Sequence, residues 1–199
     1  MGRVIYLTGA PATGKSTLCT NLQQRAARLL VLSYSTMLRD HVRQRDGTDI
    51  GAAEIREHSS RVITREDVIA VDAKLVDEVN AKRGTYDILI DSHPVTKEKY
   101  GFRITPFAAE QVKALAPDAI VCLYASPEVL HERIRRVPDG RPLPSIFELK
   151  LHVQLQATVA TQYSIETGSS CYLIDSGINQ ADLTNLVWPI IKLVPMKQP

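Results

Sequence analysis

Val4-Ile5-Tyr6-Leu7-Thr8-Gly9-Ala10-Pro11-Ala12-Thr13-Gly14-Lys15-Ser16-Thr17 stands almost at the start of the chain, and its reading decides the fold. Val4 to Leu7 is a short apolar run of the kind that forms a buried strand. Gly9 to Ser16 then follow the spacing Gly-x-x-x-x-Gly-Lys-Ser, and a helical pattern opens at Lys15. A strand that curls through glycines into a helix leaves successive backbone N–H groups pointing inward, with the helix's positive end aimed at the same point. That cradle suits nucleotide phosphates. Gly9, Ala10, Pro11, Ala12, Thr13, Gly14, Lys15, Ser16 and Thr17 are therefore the expected nucleotide-binding residues. Lys15 is expected to reach the β and γ phosphates, and Ser16 to place its hydroxyl on magnesium, Mg2+.

Outward from this loop, apolar runs alternate with helical patterns. A helix is expected over Lys15–Leu30, a strand over Leu30–Tyr34 and a helix over Thr36–Arg45. Thr64 and Asp67 have capping-box spacing before a helix reaching about Ala81. Tyr86–Ile90 reads as a central strand, and Ala119–Tyr124 as another, followed by a helix from about Pro127. A long helix is expected over Ser145–Thr167, a strand over Cys171–Ile174 and a last helix over Gln180–Leu193. Short strands separated by helices imply right-handed crossovers. The expected fold is an α/β/α three-layer sandwich on a parallel five-stranded sheet, in a single domain over 1–199. Two stretches interrupt the pattern, about Arg45–Arg61 and Val137–Pro144. Both fall where such a fold places loops or flaps over its ligand edge.

Composition narrows the field of functions. The 199 residues are 44% hydrophobic and 23% charged, with a net charge of +2. That balance suits a packed core and gives no argument for a nucleic-acid or membrane partner. Cys19, Cys122 and Cys171 lie far apart in or beside apolar runs, so buried free thiols are expected. The start has no secretory pattern and no window is apolar enough to span a bilayer, which points to the cytoplasm.

Asp91 ends the run Tyr86-Asp87-Ile88-Leu89-Ile90. A carboxylate there stands at the ligand edge of a parallel sheet and suits magnesium. Asp175 ends Cys171–Ile174 and reads as a structural turn residue. His93 is open to two readings: a partner of an acceptor phosphate or of Asp91, or a satisfied histidine beneath a loop. Trp188 reads as core. His41, His58, His131 and His152 form no metal-ligand spacing.

Four segments carry a family resemblance: Gly9–Ser16; Ser35-Thr36-Met37-Leu38-Arg39; Ile90-Asp91-Ser92-His93; and Glu132-Arg133-Ile134-Arg135-Arg136 with Arg141. Through them the chain resembles nucleoside monophosphate kinases of the adenylate kinase group, closest to the archaeal type. The resemblance implies a monophosphate-binding segment at about 35–65 and a short lid at about 133–145. It implies that Arg39 grips the acceptor's phosphate, with Ser35 and Thr36 beside its base or sugar and His93 nearby. It implies catalytic roles for Lys15, Arg133, Arg141 and Asp91, MgATP as donor, and room for a homo-oligomer. Val95 departs from the pattern, standing where bacterial and eukaryotic relatives carry an arginine. Arg103 in the next loop is the candidate replacement.

Read without the family, phosphoryl transfer needs in-line positioning, neutralised charge and exclusion of water. Arginines suit it because their planar fork binds phosphate oxygens bidentately. Arg133 and Arg136 share a helix face and could equally be solvated partners of Glu128 and Glu132. Arg135 reads as solvent-facing. Two other readings keep the phosphate loop: a small-metabolite kinase using Asp91 or His93 as base, and a slow ATPase acting as a switch or assembly factor.

Overall fold

A computed structural model describes residues 2–47, 62–138 and 142–193. Five parallel strands form one sheet: β1 (Val4–Gly9), β2 (Leu29–Ser33), β3 (Asp87–Asp91), β6 (Ala119–Tyr124) and β7 (Ser170–Asp175). Their order is β2-β3-β1-β6-β7, so the first strand made is the central one. The intervening β4 (Val95–Glu98) and β5 (Gly101–Ile104) pair antiparallel as a separate hairpin. Among the described residues the main helices are α1 (Lys15–Arg25), α2 (Tyr34–Asp46), α3 (Arg65–Lys82), α4 (Ala109–Leu115), α5 (Pro127–Arg136), α6 (Ile146–Thr167) and α7 (Gln180–Leu193).

Successive strand residues point to opposite sheet faces, and here both faces are covered. Val4, Tyr6, Ile88, Ile90, Ile120 and Cys122 pack with Leu75 and Val79 of α3, Val112 and Leu115 of α4, and Val159 and Tyr163 of α6. Ile5, Leu7, Leu89, Val121 and Leu123 pack on the other face with Leu18 and Leu22 of α1 and Leu183, Val187 and Ile191 of α7. This is why the central strands read as continuous apolar runs. A smaller cluster of Ala10, Ala125, Leu130, Ile134 and Leu149 seats α5 and α6 against the phosphate loop.

Helix starts follow the expected chemistry. Thr64 and Asp67 form a full capping box at α3, and Ser145 and Glu148 do so at α6. Ser126 caps α5, with Pro127 in its first turn.

The structure corrects several boundaries. α1 ends at Arg25, not near Leu30, because Ala26 turns extended (φ −141°, ψ 105°) and releases Leu29 and Leu30 to β2. Tyr34 opens α2 instead of closing β2. The hairpin and α4 lie in a stretch for which no elements were expected. Cys19 and Cys122 are buried free thiols, whereas Cys171 is only partly buried on the edge strand. Trp188 packs at the edge of the α1/α7 core as expected, with Lys192 5.1 Å from its ring centre. Among the described residues no helix is long and apolar enough to cross a membrane.

Candidate active site

β1 ends at Gly9 and α1 begins at Lys15, so the phosphate loop sits at the C-terminal edge of the central strand. Gly9 (φ 152°) lies against β6; a Cβ there would meet the Leu123 carbonyl oxygen at 2.6 Å. Ala12 (φ 62°) and Gly14 (φ 82°) give the loop its left-handed curl. Thr13 is buried, and its hydroxyl donates to the Ala10 carbonyl at 2.7 Å. The Lys15 ammonium donates back across the loop to the Gly9 carbonyl at 2.8 Å. Ser16 and Thr17 are exposed in the first turn of α1.

Asp91 ends β3 beside the loop, in register with Leu7 of β1 and Ser33 of β2. Its Oδ1 is buried without a hydrogen-bond partner among the described residues. Burial pushes its carboxyl above the ordinary value, and the Lys15 ammonium opposes that shift. Asp175 plays the expected structural part, accepting from the Gly177 N–H at 2.7 Å.

Arg133 meets the loop from α5. Its guanidinium donates to the Ala12 carbonyl at 3.1 Å and to the Ser176 carbonyl at 2.8 Å. Arg135 and Arg136 instead pair with Glu132 at the surface, at 2.9 and 2.7 Å. Arg141 lies outside the described residues. Lys15, Asp91 and Arg133 are thus brought together from three elements.

The acceptor-side candidates open on the neighbouring strand end. Ser33 precedes α2, and its hydroxyl lies 3.2 Å from those of both Ser35 and Thr36. Arg39 is partly buried on α2 and makes no ion pair or hydrogen bond with a described residue. His93 is exposed just past Asp91 and has a contact within the structure. Val95 is buried in the core. Arg103 projects from the hairpin, 3.6 Å from Glu98.

Several polar residues at this edge carry no sequence motif. Buried Asp72 of α3 accepts from the Tyr34 hydroxyl at 2.6 Å, and burial raises its pKa to about 6. Buried His152 of α6 holds the Val95 carbonyl at 3.0 Å, and burial lowers its pKa to about 4. Gln156, one turn on, donates to the Thr8 hydroxyl at 2.6 Å. Only their burial marks these residues, and burial depends on how α3 and α6 pack.

Comparison with known proteins agrees with this fold. Residues 8–150 match a family described as AAA domain. The chain is 24% identical over 188 residues to the adenylate kinase of Pyrococcus furiosus, covering 89% of this chain and 90% of that one. It is 27% identical over 191 residues to the adenylate kinase of Pyrococcus horikoshii, with 89% and 90% covered. In three dimensions it is similar to a tunicamycin resistance protein from Deinococcus radiodurans (TM-score 0.60, 15% identity, all of both chains covered). It is also similar to the shikimate kinase of Bacteroides thetaiotaomicron (TM-score 0.59, 15% identity, 96% and 99% covered). At such identity these two structures speak for the fold alone. The chain belongs to the AAA domain family, resembles the archaeal adenylate kinases, and is an ATP-dependent phosphotransferase.

Proposed function

We propose that the chain transfers the γ-phosphoryl group of MgATP to a nucleoside monophosphate, with AMP the first candidate acceptor. The observation that carries this reading is Arg39. It is a partly buried guanidinium at the sheet's ligand edge, away from the phosphate loop, with no counter-charge among the described residues. An acceptor that brings its own phosphate supplies that counter-charge, whereas a neutral alcohol does not.

In this reading Gly9 to Thr17 hold the donor's phosphates. Lys15 neutralises charge on the moving group, and Arg133 and Arg141 close over it from the lid. Ser35, Thr36 and His93 line the acceptor side, with Arg103 supplying the charge that Val95 lacks. The orphaned buried oxygen of Asp91 and the exposed hydroxyl of Ser16 fit a hard cation that takes oxygen ligands. Those two residues would hold magnesium, which when bound neutralises phosphate charge. No side chain need take a proton, because the acceptor oxygen of a monophosphate is already anionic.

Asp91 also supports a second reading. A buried carboxyl with a raised pKa is suited to take the proton of an alcohol, as a metabolite kinase requires. One experiment separates the two. MgATP consumption is measured alone and with a panel of nucleoside and deoxynucleoside monophosphates, following the diphosphate formed. The proposal expects strong stimulation by one monophosphate with the matching diphosphate as product. Slow ATP loss that no monophosphate changes would sink it and turn the search to hydroxyl acceptors or to a partner protein.

A further inference from the structure

The turn between β7 and α7 is tied to the phosphate loop from several sides. The Ser176 N–H and hydroxyl both donate to the Tyr124 carbonyl, at 2.6 and 2.8 Å. Ser176 also shares Arg133 with Ala12 of the loop. Asn179 caps α7, accepting from the Asp182 N–H at 2.9 Å. One residue on, Gln180 lays its side-chain amide over the α-carbon of Gly14. A Cβ built on Gly14 would overlap the Gln180 amide nitrogen and lie 3.3 Å from its Cδ. The helix behind is held as well: the Thr184 hydroxyl donates to the Gln180 carbonyl at 2.6 Å and accepts from Asn21 of α1 at 3.3 Å.

Two features of this contact exceed what packing requires. Gly14 is the N-cap of α1 and holds the left-handed conformation (φ 82°, ψ 18°) from which the loop enters the helix. The Gln180 Oε1 is buried with no partner among the described residues. A buried amide oxygen left unpaired weakens a fold where it stands, so stability does not account for its position. Resting on the MgATP-binding reading above, we propose that Gln180 is a positioning residue for the donor site. Its amide wedges Gly14 in the conformation that presents the loop's N–H groups to the triphosphate. Through it, the last strand–turn–helix unit governs donor binding and leaves acceptor binding alone.

The test is equilibrium binding of MgATP to the full chain and to Gln180→Ala and Gln180→Leu, with donor and acceptor KM measured alongside. Alanine removes the wedge, so MgATP binding should weaken roughly five- to tenfold while the acceptor's KM stays within twofold. That size is what loss of pre-organisation at one contact produces. Leucine restores the bulk over Gly14 and should recover most of the loss. Wild-type affinity in Gln180→Ala would overturn the proposal. So would equal weakening for donor and acceptor together with a lowered Tm, the mark of a merely structural residue. A leucine variant as weak as alanine would also overturn it. If the wild-type chain binds no MgATP at all, the kinase reading itself fails.

Discussion

Arg39 and Arg133 carry the same charge in different circumstances. Arg133 is engaged by two carbonyls, one in the phosphate loop and one in the turn before α7, so it meets a phosphate only by exchanging those bonds. Arg39 has no bond to exchange among the described residues. Arg39→Ala should therefore raise the KM of the monophosphate about 10- to 100-fold, the range for a lost charged hydrogen bond, with a much smaller change in the KM of ATP. Steady-state kinetics varying each substrate would show this, and an equal rise in both constants would move Arg39 out of the acceptor site. The candidates that sequence reading named here were those set by a motif or their spacing from a strand: the loop, Asp91 and Arg39. Asp72, His152 and Gln180 were not among the candidates because each owes its position to a contact between elements distant in sequence. For Gln180 the only signal was its place at the first turn of a helix following a strand.

At the scale of elements, two carboxylates of α3 hold α2: Asp72 through Tyr34, and Asp67 at the other end. Asp67 accepts from the Thr64 N–H at 2.8 Å and the Thr64 hydroxyl at 3.0 Å, lies 3.1 Å from His41 Nε2, and meets the Arg45 guanidinium. Burial alone would raise its pKa, but Thr64 and Arg45 outweigh burial and hold it below the ordinary carboxylate range. Thr64→Ala removes the cap, and its effect on stability should be about 1 kcal/mol. For a chain of this length that corresponds to a Tm lower by about 2–4 °C, measurable by calorimetry; an unchanged Tm would show that Asp67 holds the joint without its threonine. This cap was legible because four consecutive residues encode it. The β4–β5 hairpin was not. Lys97, Glu98 and Lys99 break its apolar alternation, and its packing rests on remote partners, Phe102 against His152 and Lys97 against Glu148. The end of α1 was missed for a similar reason. No glycine or proline marks Ala26, and the leucines beyond it continue the apolar pattern into the strand.

Taken whole, the molecule has two buried groups whose titrations oppose each other. Asp72 has a folded pKa of about 6, above its ordinary 3.8, so its contribution favours the fold at low pH and is lost as pH rises through 6. His152 has a folded pKa of about 4, below its ordinary 6.5, so its contribution is present at neutral pH and is lost as pH falls towards 4. Each displacement is worth roughly 3 kcal/mol at most, and the signs are opposite. These two contributions should nearly cancel between pH 4 and 6. Asp72→Asn removes one arm and exposes the other, so the variant's Tm should climb with pH across that window relative to wild type. Parallel Tm profiles for the two proteins would sink this account.

The strand order has a consequence for how the protein is made. β1 leaves the ribosome well before β3 and β6, yet Val4 pairs with Ile88 and Ile5 with Ala119. At about 5–20 residues per second, the future centre of the sheet waits on the order of ten seconds for its flanking strands. During that wait Val4, Ile5, Tyr6 and Leu7 have no sheet to enter. The nascent chain thus presents in the open a segment that the finished fold buries, and a factor that shields apolar nascent segments would find a foothold there.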